Sequence, residues 1–390
     1  MPGNSLLAYL PVEAVISREE LAARHARIRA LMEERNLDLL LIASDMNIHK
    51  RGHLRYVSGF CTKDYYAYVL LPKAGELSFF GHYRSFIKWA EALAGITKLA
   101  FTPFGEEEEV GASHVAKLIR EQGPKRLGLV GHYTMTAGFC QTLLSELPGV
   151  HIEDATDLLR ACRLTKNAYE IGLVERAAQV ADGAYQTYLD LVRPGRKEID
   201  VILEVMRKVF DQGGEDGKYI FTGGSGAVPS SRHEHMAYRT IEQGDTLYFT
   251  TEICGPGGYW TQIGRMVSLG RRVPEVEQAV KDFLKAREVA LKDLVPGSTV
   301  GHFMRVFIDT AHRMGYKLSD DQFGHGMGLD ITEPPFLTQD SSVPVQAGMV
   351  VAVHPKFDLG RYSVRVCDTF LVTEGGPRNL YTTPPDYYVF

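Results

Sequence analysis

The chain has 390 residues, 45% of them hydrophobic and 23% charged, with a formal net charge of −5, which fits a soluble globular protein with room for more than one core. Lysine and arginine are scattered rather than gathered into a basic stripe, which argues against a nucleic-acid partner. No window approaches the ~18 consecutive apolar residues of a membrane span, and "MPGNSLLAYLPVEAVISREE" has no signal-peptide pattern, so the expected location is cytoplasmic with no membrane partner. The five cysteines (Cys61, Cys140, Cys162, Cys254, Cys367) are widely spaced and form no C-x-x-C pair, which argues against a disulfide framework or a zinc ribbon.

In chain order, "REELAARHARIRALMEERN" (18–36) is an amphipathic helix with Leu21, Ile28, Leu31 and Met32 on one face, and "LDLLLIAS" reads as a strand covered on both sides. The alternation recurs through "YAYVLLP", "GELSFFG", "HVAKLIREQG" and "RLGLVG", so the first domain, residues 1–162, is expected to be α/β. The run "GEEEEVG" (105–111) reads as a solvated acidic segment. A long helix follows the boundary, and residues 163–390 form the second domain.

That second domain contains an internal echo. A helix over about 167–192 ends in "LVRPG", a second helix follows, and then comes the strand pair "DTLYFTTEICGPGGYWTQIGRMVSLG". A helix over about 274–294 ends in "LVPG", the helix "VGHFMRVFIDTAHRMG" follows, and then come "GMVVAVHPKFD" and "YSVRVCDTFLVTE". Pro-Gly after each long helix is a stop signal. Two α-α-β-β units imply a pseudo-twofold domain whose sheets meet around one cleft.

Three stretches resemble the pita-bread superfamily of creatinase, prolidase and aminopeptidase P. "HLRYVSGF" (53–60) is similar to the creatinase-type N-terminal domain, "RLTKNAYEI" (163–171) to the Arg-x-x-Lys entry to the catalytic domain, and "FGHGMGLDITEPP" (323–335) to its Gly-His-Gly-x-Gly segment. The fold implied is an α/β N-terminal creatinase-type domain followed by an α+β pita-bread domain. In the metallopeptidase members two Asp, one His and two Glu hold two divalent metals. By this resemblance Thr251 and Gln262 stand where the two aspartates belong, His325 keeps the histidine, and His354 and Cys367 replace the two glutamates. Thr332 stands where the peptidases have a further histidine. Paired hard cations need anionic oxygen ligands, so a dinuclear centre is not expected and no cofactor is assigned.

Creatinase has this fold without a metal and uses a histidine acid/base, which falls here on His233. An imidazole titrates near neutral pH, so it can pass a proton in either direction. Creatine itself is a poor candidate substrate, because Gly264 and His354 replace the glutamates that grip its guanidinium. The expectation is therefore a metal-independent, creatinase-like hydrolase or lyase that cleaves a C–N bond of a small polar, carboxylate-bearing metabolite. His233, His325 and His354 are its expected catalytic residues. Gln262, Thr251, Cys367 and Trp260 are expected to line the substrate, Arg265 and Arg365 to clamp its carboxylate, and, in a homodimer, Arg55 and Tyr56 of the N-terminal domain to reach the partner's cleft. Two alternatives stand beside this: one divalent transition metal on His325, His354 and Cys367, or an Xaa-Pro peptidase-like pseudo-enzyme acting as a binding module.

Overall fold

The computed structural model describes residues 15–44, 46–62, 66–81, 83–101, 107–224, 231–318 and 323–390. Most of the N-terminal segment read for a signal peptide, and the start of the acidic run, lie outside the described residues. The chain divides into two compact units, Met1–Arg163 and Leu164–Phe390, one residue from the expected boundary.

The first unit runs α1 (Arg18–Glu34), β1 (Leu39–Ser44), α2 (Gly52–Ser58), β2 (Ala67–Pro72), β3 (Ser78–Gly81), α3 (Arg84–Ala94), β4 (Lys98–Phe101), α4 (Ala112–Gln122), β5 (Arg126–Val130), α5 (Ala137–Ser145), β6 (His151–Asp154) and α6 (Thr156–Leu164). Its six strands lie in the order β4-β3-β2-β1-β5-β6. Every residue of β1 is buried, as a strand covered on both faces requires. Helix α1 starts where the Ser17 hydroxyl accepts from the Glu20 N–H, and it buries Leu21, Ile28 and Met32.

The second unit carries the expected duplication. Its first half is α7 (Ala168–Leu191), α8 (Glu198–Asp211), β7 (Asp216–Gly223), β8 (Ser231–His233), β9 (Thr246–Cys254) and β10 (Trp260–Ser268). Its second half is α9 (Pro274–Leu291), α10 (Val300–Arg313), β11 (Lys317–Leu318), β12 (Gly324–Gly326), β13 (Glu333–Phe336), β14 (Val350–Val353), β15 (Phe357–Asp358), β16 (Ser363–Val364), β17 (Asp368–Thr373), β18 (Gly376–Asn379) and β19 (Tyr387–Val389). Two five-stranded sheets result, β19-β10-β9-β7-β8 and β13-β12-β14-β17-β18. Helix α7 opens on a reciprocal capping box between Asn167 and Glu170, and both Pro-Gly stops place the glycine, Gly195 or Gly297, at positive φ, where a side chain would be strained.

Each sheet packs one face on its own helix pair. Phe221, Phe249, Ile263 and Val267 meet Ala181, Tyr185 and Val205 of α7 and α8. On the opposite face of the first sheet, Tyr248 and Met266 join a core built from Phe283, Phe307, Val351 and Phe370 of the second half. Residue Lys166, from the motif that opens the domain, makes a buried ion pair with Glu333 at 2.7 Å, tying the domain entry to the "ITEPP" turn.

The two sheets join where β10 meets the start of β17. Gly264 and Cys367 exchange both backbone hydrogen bonds, at 3.1 and 3.0 Å, and the Gln262 N–H donates to the Thr369 hydroxyl at 2.9 Å. Asp368, fully buried, accepts from Arg265 Nη2 at 2.7 Å and from Arg287 Nη1 at 2.6 Å. Breaking such a buried pair strands uncompensated charge at a cost of about 3–5 kcal/mol. Asp368→Asn is accordingly expected to lower unfolding free energy by that order, measured by urea denaturation; a loss below about 1 kcal/mol would show that the junction holds without it.

Candidate functional site

The candidate site lies on the face of the first sheet away from α7 and α8. Antiparallel partners share a face, as do residues two apart on one strand. The register His233–Ile220–Thr250–Gly264 runs across β8, β7, β9 and β10, and the register Lys218–Glu252–Gln262 runs beside it. In the second sheet, His325 pairs with Ala352 and Val353 with Asp368, so His325, His354 and Cys367 share one face. The Gly264–Cys367 bridge brings these two faces together.

The imidazoles of His325 and His354 are 5.2 Å apart, centre to centre, and tilted edge to face. His325 is 7% exposed, and burial pulls its pKa down to about 4. Its Nδ1 lies 3.1 Å from the Gly326 carbonyl; a neutral ring in that position donates from Nδ1 and leaves Nε2 as an acceptor. Burial, helped by the neighbouring His325 and Arg365, pulls His354 well below the usual histidine range, and its Nε2 is buried without a hydrogen-bond partner. Both rings are therefore neutral near pH 7. Lys218, 3.5 Å from Glu252, supplies positive charge near His325.

Cys367 is fully buried. Burial and the adjacent Asp368 push its thiol well above its ordinary pKa, and the sulfur lies 3.7 Å from the Gln262 carbonyl. With its pKa raised, the thiol is protonated near neutral pH and lines the wall of the site. Gln262 is 6% exposed, and its Oε1 is buried without a partner.

Several expected residues stand elsewhere. Thr251 pairs with Ile263 and Tyr219, which belong to the α7/α8 core. It therefore faces the helices, and the site-facing residues of β9 are Thr250 and Glu252; a shift of one position in a strand changes the face. Arg265, one residue past Gly264, also leaves the site. It is 0% exposed and makes five hydrogen bonds, to Asp368 and to the carbonyls of Gly264, Cys367, Thr383 and Pro384, so no donor remains for a substrate carboxylate. Trp260 is fully buried, with its backbone N–H donating to the Gly328 carbonyl, and serves as packing. Tyr56 is 1% exposed, lies under the Arg24 guanidinium at 4.6 Å and donates to the Cys162 carbonyl; it belongs to the core of its own unit. Arg55 is likewise buried within this chain, at 7% exposed.

The structure adds Lys218, Thr250, Glu252 and Tyr248. The signal for the last three was the alternation in "TLYFTTEIC", where Leu247, Phe249 and Ile253 are apolar and the intervening Tyr248, Thr250 and Glu252 form the other face. Gly264 is small for a steric reason: a Cβ there would collide with the Tyr248 phenol.

Comparison with known proteins agrees with this architecture. Residues 172–374 match the model of metallopeptidase family M24, and residues 24–165 match the creatinase/prolidase N-terminal domain. The chain belongs to the M24 family, whose fold is the pita-bread. Among its relatives are the uncharacterized peptidase YqhT of Bacillus subtilis, 26% identical over 93% of this chain and 99% of that protein, and the Xaa-Pro dipeptidase of Pyrococcus horikoshii, 23% identical over 92% and 96%. The ectoine hydrolase of Halomonas elongata is 24% identical over 97% of this chain and the whole of that protein. A solved X-Pro aminopeptidase from Thermotoga maritima superposes with a TM-score of 0.83 at 21% identity, over 94% of this chain and 99% of that one. The class these relatives define is that of hydrolases acting on C–N bonds. No helix among the described residues is long and apolar enough to cross a membrane.

The family name implies bound metal, and the side chains present do not fit it. The face offers Thr250, the Gln262 amide, two neutral imidazoles and the Cys367 thiol, and its carboxylate, Glu252, is engaged by Lys218, where bridged hard cations require several carboxylates. Among the described residues no group of three or more His, Cys, Asp or Glu side chains is disposed to hold a metal ion, the His325, His354 and Cys367 set included.

The depressed histidines make a pH prediction. An unfolded imidazole titrates near 6.5 and folded His325 near 4, so the unfolded state binds more protons between those values. Stability is therefore full above about pH 6.5 and declines as pH falls toward 4, by up to about 1.4 kcal/mol per pH unit for this group; His354 acts in the same direction. Urea midpoints measured from pH 7.5 to 4.5 are expected to fall less steeply in His325→Gln, and an unchanged slope would mean that the folded ring already carries a proton near pH 6.

Proposed function

We propose that this chain is a metal-independent hydrolase that cleaves a C–N bond in a small, polar, anionic metabolite, with His233 as general acid/base. The observation that carries the reading is the pair of buried, neutral imidazoles on a face where the Arg365 cation stands with the Lys218–Glu252 ion pair and the uncharged Gln262, Thr250 and Cys367. Such a face suits a neutral or anionic molecule better than a cationic one. The peptidase names among the relatives carry over only as far as C–N hydrolysis, because the metal donors differ.

In this scheme the Gln262 amide and the acceptor nitrogens of His325 and His354 hold the substrate's polar groups in place. His233, half-buried on edge strand β8 beside Ile220, shares the face with Thr250 and Gly264. It takes a proton from a water as the water oxygen bonds to the substrate carbon, then delivers that proton to the departing nitrogen as the C–N bond breaks. Glu252, held by Lys218, accepts hydrogen bonds from the water or the amine that forms.

The test uses metal-depleted protein against N-acetylated amino acids, Xaa-Pro dipeptides and ectoine. Hydrolysis of at least one substrate is expected to survive chelator and to fall about 10²–10⁴-fold in His233→Ala. Full activity in that variant, or activity restored only by added metal, would sink the proposal.

A further inference from the structure

We propose that Arg365, held over the ring of Tyr248, is the head that recognises a carboxylate on the substrate. The inference rests on the hydrolase reading for the word substrate and extends it to a named recognition residue. The guanidinium carbon lies 4.1 Å from the centre of the Tyr248 ring, and Tyr248 is itself buried at 1% exposure, so the platform is fixed. A cation–π contact of this kind fixes the guanidinium without using its N–H donors, which stay available for a planar, two-oxygen partner.

That edge has work left to do. Arg365 Nε is buried without a hydrogen-bond partner, and among the described residues Arg365 has no carboxylate in ion-pair range. Four other buried or half-buried arginines of this unit contrast with it: Arg232 and Arg239 are paired with Glu198 and Asp245, and Arg265 and Arg287 share Asp368. Beside Arg365 stand His354 and Cys367, both neutral, so its charge is not offset locally. A half-buried cation among neutral groups draws an anion, and a carboxylate can engage it through two parallel hydrogen bonds.

Its position also orients the substrate. Arg365 lies on one side of the Gly264–Cys367 bridge, and Gln262 with Thr369 lies on the other. The carboxylate is thus set at one end of the face and the scissile C–N bond at the end nearer Gln262 and His325.

Thermal-shift titration of the full chain with N-acetylglycine, N-acetyl-β-alanine and N-acetyl-4-aminobutyrate, each beside its carboxamide, tests the assignment. At least one acid is expected to raise Tm while its carboxamide does not. Arg365→Gln should weaken the acid at least tenfold, and Arg365→Lys, which keeps charge and loses the fork, should weaken it less. No stabilisation by any of the acids, equal stabilisation by acid and carboxamide, or an undiminished response in Arg365→Gln would overturn it. Because the readout is binding, His233→Ala should keep the response. If it does while turnover fails the test given above, recognition stands and the hydrolytic reading falls.

Discussion

The catalytic-type unit depends on one buried junction. Asp368 neutralises Arg265 from β10 and Arg287 from α9, and Arg265 spends its remaining donors on carbonyls of β10, the start of β17 and the C-terminal segment. The two halves are already interleaved, because β19 of the second half completes the first sheet beside β10. What makes them one object is a guanidinium that cannot be satisfied unless β10, β17 and residues 383–384 arrive together. The strict geometry of buried charge pairing thereby sets the relation between the faces that carry Gln262 and Cys367.

On that frame the site shows a consistent exchange of chemistry. Uncharged groups make up most of the face, and two of them, His325 and His354, are kept neutral by burial. The charge that remains is the Lys218–Glu252 ion pair and the Arg365 guanidinium. Gly264 belongs to the same rearrangement, since its missing side chain makes room for Tyr248, on which Arg365 rests. Several substitutions far apart in the chain are thus parts of one altered pocket.

The fold was legible in the sequence because it rests on periodic burial. The α-α-β-β repeat, the Pro-Gly stops and the two-sided strand Leu39–Ser44 follow from local patterning, and the structure reproduces them. The site was legible only in part. Gln262, His325 and His354 fall on the expected surface, whereas Thr251 was assigned to the wrong face of its strand by a single position. Arg265 and Tyr56 looked exposed because charged and aromatic residues in motifs suggest binding, yet each is buried in a structural role.

The sequence by itself determined the two domains and the duplicated unit, because those depend on residue type and short-range period. Only the tertiary structure decided between Arg265 and Arg365, and between Thr251 and its neighbours Thr250 and Glu252. Both choices turn on which face of a strand points toward the other sheet, and on whether a charge has found its partner elsewhere in the chain. Such partners lie about a hundred residues away, as Asp368 does from Arg265, and no local pattern records them.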